Sequence, residues 1–184
     1  MAASSSVASD PGFLRLLLSR RSVIVALIVF LVIAGLCILA GWVAPMSPSK
    51  MSVRARLAPP FGDYLLGADA YGRDVLSRLL YAGRTSLTIG FGVATLSTVI
   101  GIAIGLLAGF FRRLDAPLSR LIDAMMAFPD ILLAIALVSI LGGSMVNVIL
   151  ALSIVYVPRF ARISRASTLV IRELPFVEAS RALG

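Results

Sequence analysis

No histidine occurs among the 184 residues, and the single cysteine, Cys37, sits inside an apolar run. The first absence removes the commonest metal ligand and the usual proton shuttle of neutral pH. The second forbids a disulfide within the chain, and leaves Cys37 most simply a small buried hydrophobe. Charge is also scarce: 14% of residues are charged, where about a quarter is usual in a soluble domain. No Gly-rich loop ends in Lys followed by Ser or Thr, so the chain carries no phosphate cradle for a nucleotide. The pattern offers no catalytic residue, no cofactor site and no metal site. What is abundant is apolar surface, with 59% hydrophobic residues and a mean hydropathy of +1.01. This is a chain whose solvent is partly lipid.

The net charge of +8 comes from 17 Lys and Arg against nine acids. Those cations lie between apolar runs and form no continuous basic face, which argues against nucleic acid and for anionic lipid headgroups. The first apolar run, Val23–Ala44, follows Arg15, Arg20 and Arg21. It is too long for the core of a signal peptide, about 7–15 residues, and long enough to span. Trp42 suits the far interface. Three more spans are expected at about Leu87–Phe111, Leu121–Leu141 and Met145–Phe160, the last continuing as helix past Pro158. All must be helical, because hydrocarbon leaves backbone groups no other partner. No internal repeat is visible, and Met1–Ser9 is small, polar and expected to be disordered.

Basic residues fix the expected orientation. With the N-terminus inside, eleven of them fall in inner segments (Arg15, Arg20, Arg21, Arg112, Arg113, Arg120, Arg159, Arg162, Arg165, Arg172, Arg181). Six fall in the outer loop: Lys50, Arg54, Arg56, Arg73, Arg78 and Arg84. The organisation is then an N-terminal cytoplasmic segment (1–22), a first membrane helix (23–44), an outer loop (45–84) and a membrane core (85–184).

Within that loop, Asp74 and Arg78 are spaced i,i+4, acid first, opposite an apolar stripe of Val75, Leu76, Leu79 and Leu80. This predicts a short amphipathic helix at the outer interface, with a helical ion pair between Asp74 and Arg78. In the second span Gly101, Gly105 and Gly109 share one face and permit close backbone approach, either as a path or subunit seam or as packing within the chain. In the third, Asp123 and Asp130 are seven apart and project from nearly the same face. Asp123 lies near the inner end, solvated or paired with Arg120. Asp130 follows Phe128 and Pro129, about 15 Å into the helix at 1.5 Å per residue. Pro129 is expected to kink the helix. Asp130 has three readings: a group lining a translocation path, the partner of an arginine on another subunit, or a solvated group at an inner vestibule.

Residues 66–87 read Leu-Gly-Ala-Asp-Ala-Tyr-Gly-Arg-Asp-Val-Leu-Ser-Arg-Leu-Leu-Tyr-Ala-Gly-Arg-Thr-Ser-Leu, and the chain ends Glu178-Ala179-Ser180-Arg181-Ala182-Leu183-Gly184. The first string resembles the signature of the C-type permease subunit of dipeptide and oligopeptide ABC importers, with Ala68 in place of Thr. The second resembles the coupling motif of ABC-importer permeases, with Ser180 for the second Ala. Pro175 opens a helix well, Glu178 sits in its first turn, and Phe176, Ala179, Ser180 and Leu183 make one small, apolar face.

The resemblance implies an all-α polytopic membrane bundle of the type I importer permease kind. It implies a second permease subunit, cytoplasmic ATP-binding subunits and a substrate-binding protein as partners, and residence in the bacterial inner membrane. It casts Glu178, Ala179, Ser180 and Gly184 as the ATPase-coupling residues. It casts Asp69, Arg73, Asp74 and Arg78 as the outer contact to the binding protein, with Pro129 and Asp130 on the path. The family has six spans where this chain has four, so the chain reads as a fragment or a truncated frame. Peptides are the expected cargo, with nickel complexes as an alternative. A secondary transporter and a membrane-anchoring subunit are the rival readings.

Overall fold

The computed structural model describes residues 20–175 and 177. Met1–Ser9 and the coupling residues Glu178, Ala179, Ser180 and Gly184 lie outside them. The described residues form six α-helices and one short 3-10 turn, Val53–Ala55. We number them α1 (Arg21–Ile38), α2 (Ala40–Val43), α3 (Val75–Phe110), α4 (Arg112–Met126), α5 (Asp130–Leu141) and α6 (Met145–Arg172). The chain divides into two compact units at Thr85, within α3.

In the first unit, α1 and α2 occupy the expected first span, interrupted only at Leu39. Most of α1 is exposed, Phe30, Leu31 and Ile33 among its outward side chains, as suits a helix whose solvent is lipid. The outer loop is ordered by its own backbone. Leu57 donates to the Asp69 carbonyl (3.2 Å), Ala68 to that of Ala58 (3.0 Å) and Val75 to that of Gly67 (3.1 Å). Gly72, at φ 70°, lets the chain reverse where a methyl group would come within 1.8 Å of the Ser52 carbonyl oxygen. No side chain fits there.

The amphipathic helix expected after Asp74 is present and runs without a break into the second span. Residues 75–110 are one α-helix of 36 residues, about 54 Å long and able to cross a core of about 30 Å with turns to spare. The expected Asp74–Arg78 pair is absent, because Asp74 stands before the first turn and caps it.

The second unit holds the rest of α3 with α4, α5 and α6. The third expected span is not one helix. α4 and α5 are separated at Ala127–Pro129 and bent by 92°. Pro129 has no N–H to continue α4, and it drives Phe128 out of the helical region. A break therefore replaces the expected kink, and Asp130 becomes the first residue of a new helix rather than a residue ten positions deep. Asp123 and Asp130 consequently do not share a helix face. α6, by contrast, continues through Pro158 to Arg172 as expected. Pro158 is completely buried, and packing holds the helix through it.

α3 and α6 run parallel. Gly92 lies against Ile149, Gly101 against Val157 and Phe160, Gly105 against Ala161 and Ser164, and Gly109 against Thr168. Parallel neighbours require one return crossing between them, and α4–α5 supplies it. Three helices are long and apolar enough to cross a membrane, or four spans if the bent pair counts as one.

Candidate functional site

The glycine seam shows why the sequence carries Gly at every fourth position. A methyl group at Gly105 would lie 2.5 Å from the Ala161 carbonyl oxygen, and one at Gly101 2.4 Å from Phe160 Cβ. At Gly109 it would lie 2.6 Å from Thr168 Cβ. The backbones touch, and Ser164 Oγ donates to the Ile102 carbonyl at 3.3 Å. Of the two readings, the geometry gives packing within the chain: the seam fixes α6 to α3.

On another side of α6 the arginines meet the acids of the bent pair. Arg159 pairs with Asp130. Arg162 Nη2 lies 2.6 Å from Asp123 Oδ1. Arg165 Nε lies 2.5 Å from Asp115 Oδ1, with Nη2 at 3.1 Å from Oδ2, a two-pronged fit. Three arginines spaced by three on α6 thus meet three acids in reverse chain order, Asp130, Asp123 and Asp115. The row spans the break, so α4 and α5 are tied to one helix. Tyr156 places its ring 5.4 Å from the Arg159 guanidinium carbon.

This arrangement corrects one expectation, since Asp123 pairs with Arg162 and not with Arg120. It also settles where Asp130 finds its counter-charge: inside the chain, on Arg159. Sequence reasoning missed Asp115 as a member. The available signal was Arg159, Arg162 and Arg165 at i, i+3, i+6, one face of a helix needing acids opposite. Further along, Arg172 donates to the Gly109 carbonyl at 3.0 Å and pairs with Glu173 at 3.2 Å. α6 is therefore held to the end of α3 at its C-terminal end.

The outer-loop residues form a second cluster. Asp69 Oδ1 accepts from the backbone N–H of Tyr71 (2.8 Å) and of Arg73 (3.0 Å). Its Oδ2 accepts from Arg73 Nε at 2.8 Å and from Arg78. Burial opposes ionisation of Asp69, but the two backbone donors and the Arg73 guanidinium outweigh it and hold the carboxyl well below the ordinary range. Asp74 is 3% exposed. It caps α3, accepting from Ser77 N (2.8 Å) and Ser77 Oγ (2.6 Å). Ser77 Oγ in turn accepts from Met46 N at 3.2 Å. Arg73 also lies over the Tyr71 ring at 4.7 Å. The four residues expected to face a binding protein are thus brought together, with Asp69 at the centre.

An N-terminal membrane helix, an ordered outer loop locked by Gly72, Asp69 and Asp74, and a core in which α6 is pinned by glycine and arginine make a multi-pass membrane protein. Residues 101–184 match the family described as "Binding-protein-dependent transport system inner membrane component". Residues 12–60 match the "N-terminal TM domain of oligopeptide transport permease C". The chain belongs to this permease family and is a multi-pass membrane protein.

A putative peptide transport system permease protein of Brucella suis is 45% identical over 170 residues, covering 92% of this chain and 57% of that protein. The dipeptide transport system permease protein DppC of Haemophilus influenzae is 39% identical over 172 residues, covering 90% of this chain and 58% of its own. The di/tripeptide transport system permease protein DppC of Pseudomonas aeruginosa is 41% identical over 165 residues, with 86% and 54% covered. The chain spans a little over half the length of these relatives. All three are named as permeases.

Proposed function

We propose that this chain forms the N-terminal part of the membrane subunit of an ATP-driven importer of di- and oligopeptides. The observation that carries the reading is the 45% identity over 92% of the chain to a peptide permease. Nickel complexes have no support in these relatives and are set aside. A secondary transporter would need a free intramembrane carboxylate as a coupling-ion site. Asp130, the candidate, is paired with Arg159.

In this reading the N-terminus and residues 175–184 are cytoplasmic, and the Asp69 cluster faces outward. A substrate-binding protein delivers peptide to the outer face, where Arg78, the most exposed cation of the cluster, is its contact. A second permease subunit completes the path, and ATP is hydrolysed in separate cytoplasmic chains. Those chains push on the segment around Glu178, Ala179, Ser180 and Gly184. α6 receives the push directly, being one helix from Met145 to Arg172. It passes the push to α3 through the glycine seam and to α4–α5 through the arginine row. Asp130 acts at the second of these links, and Pro129 sets the break beside it.

The test is uptake of labelled di- and tripeptides by cells that depend on this subunit. Loss of uptake on removing the gene, and its return with the full-length gene, is the expected result. Unchanged peptide uptake without the gene rejects the proposal.

A further inference from the structure

We propose that α4 is an in-plane membrane-surface helix whose Arg112, Arg113 and Arg120 hold the phosphates of anionic phospholipids. The inference starts from direction. α5 carries no charge after Asp130, whereas α4 carries five charged residues among fifteen, Arg112, Arg113, Asp115, Arg120 and Asp123. α4 is bent from it by 92°. With the two at a right angle, the apolar α5 is the one that enters the membrane and the charged α4 lies along its surface, at the side where α3 ends.

The residues of α4 then sort by face at 100° per residue. Asp115, Ile122 and Asp123 point to α6. Ile122 is buried there, and both acids are taken by Arg165 and Arg162. Leu114, Leu118, Leu121 and Met125 lie together on a second face, with Leu121 57% exposed. Arg113 and Arg120 occupy the third, and Arg112 stands at the N-terminal end of the helix, on the side of Asp115 and Asp123. All three are exposed, and none forms an ion pair with a described residue. Because the two acids of the helix are paired with α6, Arg112, Arg113 and Arg120 leave the helix with three uncompensated positive charges beside a leucine face.

Aromatics mark both ends. Phe110 and Phe111 pack edge to face with centroids 5.2 Å apart at the start, and Phe128 is 61% exposed after the end. Leucines sunk in acyl chains, aromatics at headgroup depth and guanidinium forks above them match one occupant, an anionic lipid leaflet. The forked guanidinium binds phosphate oxygens in pairs. This surface lies apart from the transport path proposed above and does not depend on the cargo.

The experiment uses the whole chain in bilayers of phosphatidylcholine, with trace spin-labelled phosphatidylglycerol or spin-labelled phosphatidylcholine. The fraction of each label immobilised by protein is measured. Phosphatidylglycerol should be preferred by the wild type. The preference should fall several-fold in Arg112→Gln/Arg113→Gln/Arg120→Gln and return in the triple Lys variant. It should persist in Arg54→Gln/Arg56→Gln, which removes the same kind of charge from the outer loop. Circular dichroism checks that the triple Gln variant keeps its helicity. If it does not, the three single Arg→Gln variants are read instead, each expected to lower the preference. A wild-type preference retained in the Gln variants overturns the proposal. So does a wild type without preference whose Gln variants lose a co-purifying protein, which would make the face a protein contact.

Discussion

Arg162 on α6 reaches across 39 residues of chain to place a guanidinium nitrogen 2.6 Å from the Asp123 carboxylate on α4. With Arg159–Asp130 and Arg165–Asp115 on either side, this pair makes the bent helix pair follow α6. If charge complementarity is the cause, the pair can be reversed. Asp123→Arg or Arg162→Asp alone should lower thermal stability in detergent, each by about 1 kcal/mol, the upper end for an exposed pair. The double swap Asp123→Arg/Arg162→Asp should recover most of the loss. A double swap no better than the worse single variant would show that the pair is incidental.

The glycine seam makes a position-specific prediction. Gly105→Ala should destabilise by about 1–3 kcal/mol, because the methyl group would overlap the Ala161 carbonyl and the backbones would have to part. Gly90→Ala, in the same helix, meets nothing within 4 Å, and should be neutral or stabilising by about 0.5–1 kcal/mol. Thermal melts of the two variants side by side give the answer. Equal effects would remove close backbone approach as the reason for glycine.

Asp69 supplies a pH dependence with a definite sign. Its folded pKa is lowered, because backbone N–H groups and Arg73 outweigh burial. It therefore adds stability to the outer loop that is complete above the unfolded carboxylate value of about 3.9. That contribution fades as pH falls from there towards the lower folded value. Amide exchange of residues 66–78, compared between wild type and Asp69→Asn, should differ by a constant factor from pH 7 to pH 5. The factor should shrink below pH 4. A difference that is already gone at pH 5 would mean that the carboxylate is not held as described.

Topology follows from the eleven-to-six distribution of basic residues and the parallel run of α3 and α6. In a Cys37→Ala background, cysteine at position 144 should react with an impermeant thiol reagent on intact cells, and cysteine at position 5 should not. The opposite pattern would invert the protein in the membrane.

Much of this was legible in the sequence, and the misses have physical causes. Hydropathy located the spans, and Pro158 was correctly passed over. Phe128-Pro129 was seen to disturb a helix, but a hydropathy average runs smoothly across 121–141 and hides a right-angle turn. The i,i+4 rule for Asp74 and Arg78 holds only when both residues are inside the helix. Asp74 is the cap, so its carboxylate turns to Ser77, and Arg78 goes to Asp69, brought back by the reversal at Gly72. Asp115 and Asp123 found partners some 40–50 residues away on α6, and no local spacing names a partner at that distance.

The central claim, that this chain belongs to an ATP-driven peptide importer and is coupled to its ATPase near Glu178, is tested most directly by hydrolysis. The full-length subunit, its second permease and its ATP-binding chains are reconstituted in vesicles with the substrate-binding protein. ATP turnover is then measured with and without dipeptide. Dipeptide should stimulate hydrolysis in the wild type. Glu178→Ala should remove a charged contact worth about 2–5 kcal/mol when buried against a partner. It should therefore abolish stimulation, or lower the ATPase retained per permease, without loss of membrane insertion. Gly184→Val should do the same. Dipeptide-independent hydrolysis in the wild type, or full stimulation and full ATPase retention in both variants, would contradict the account.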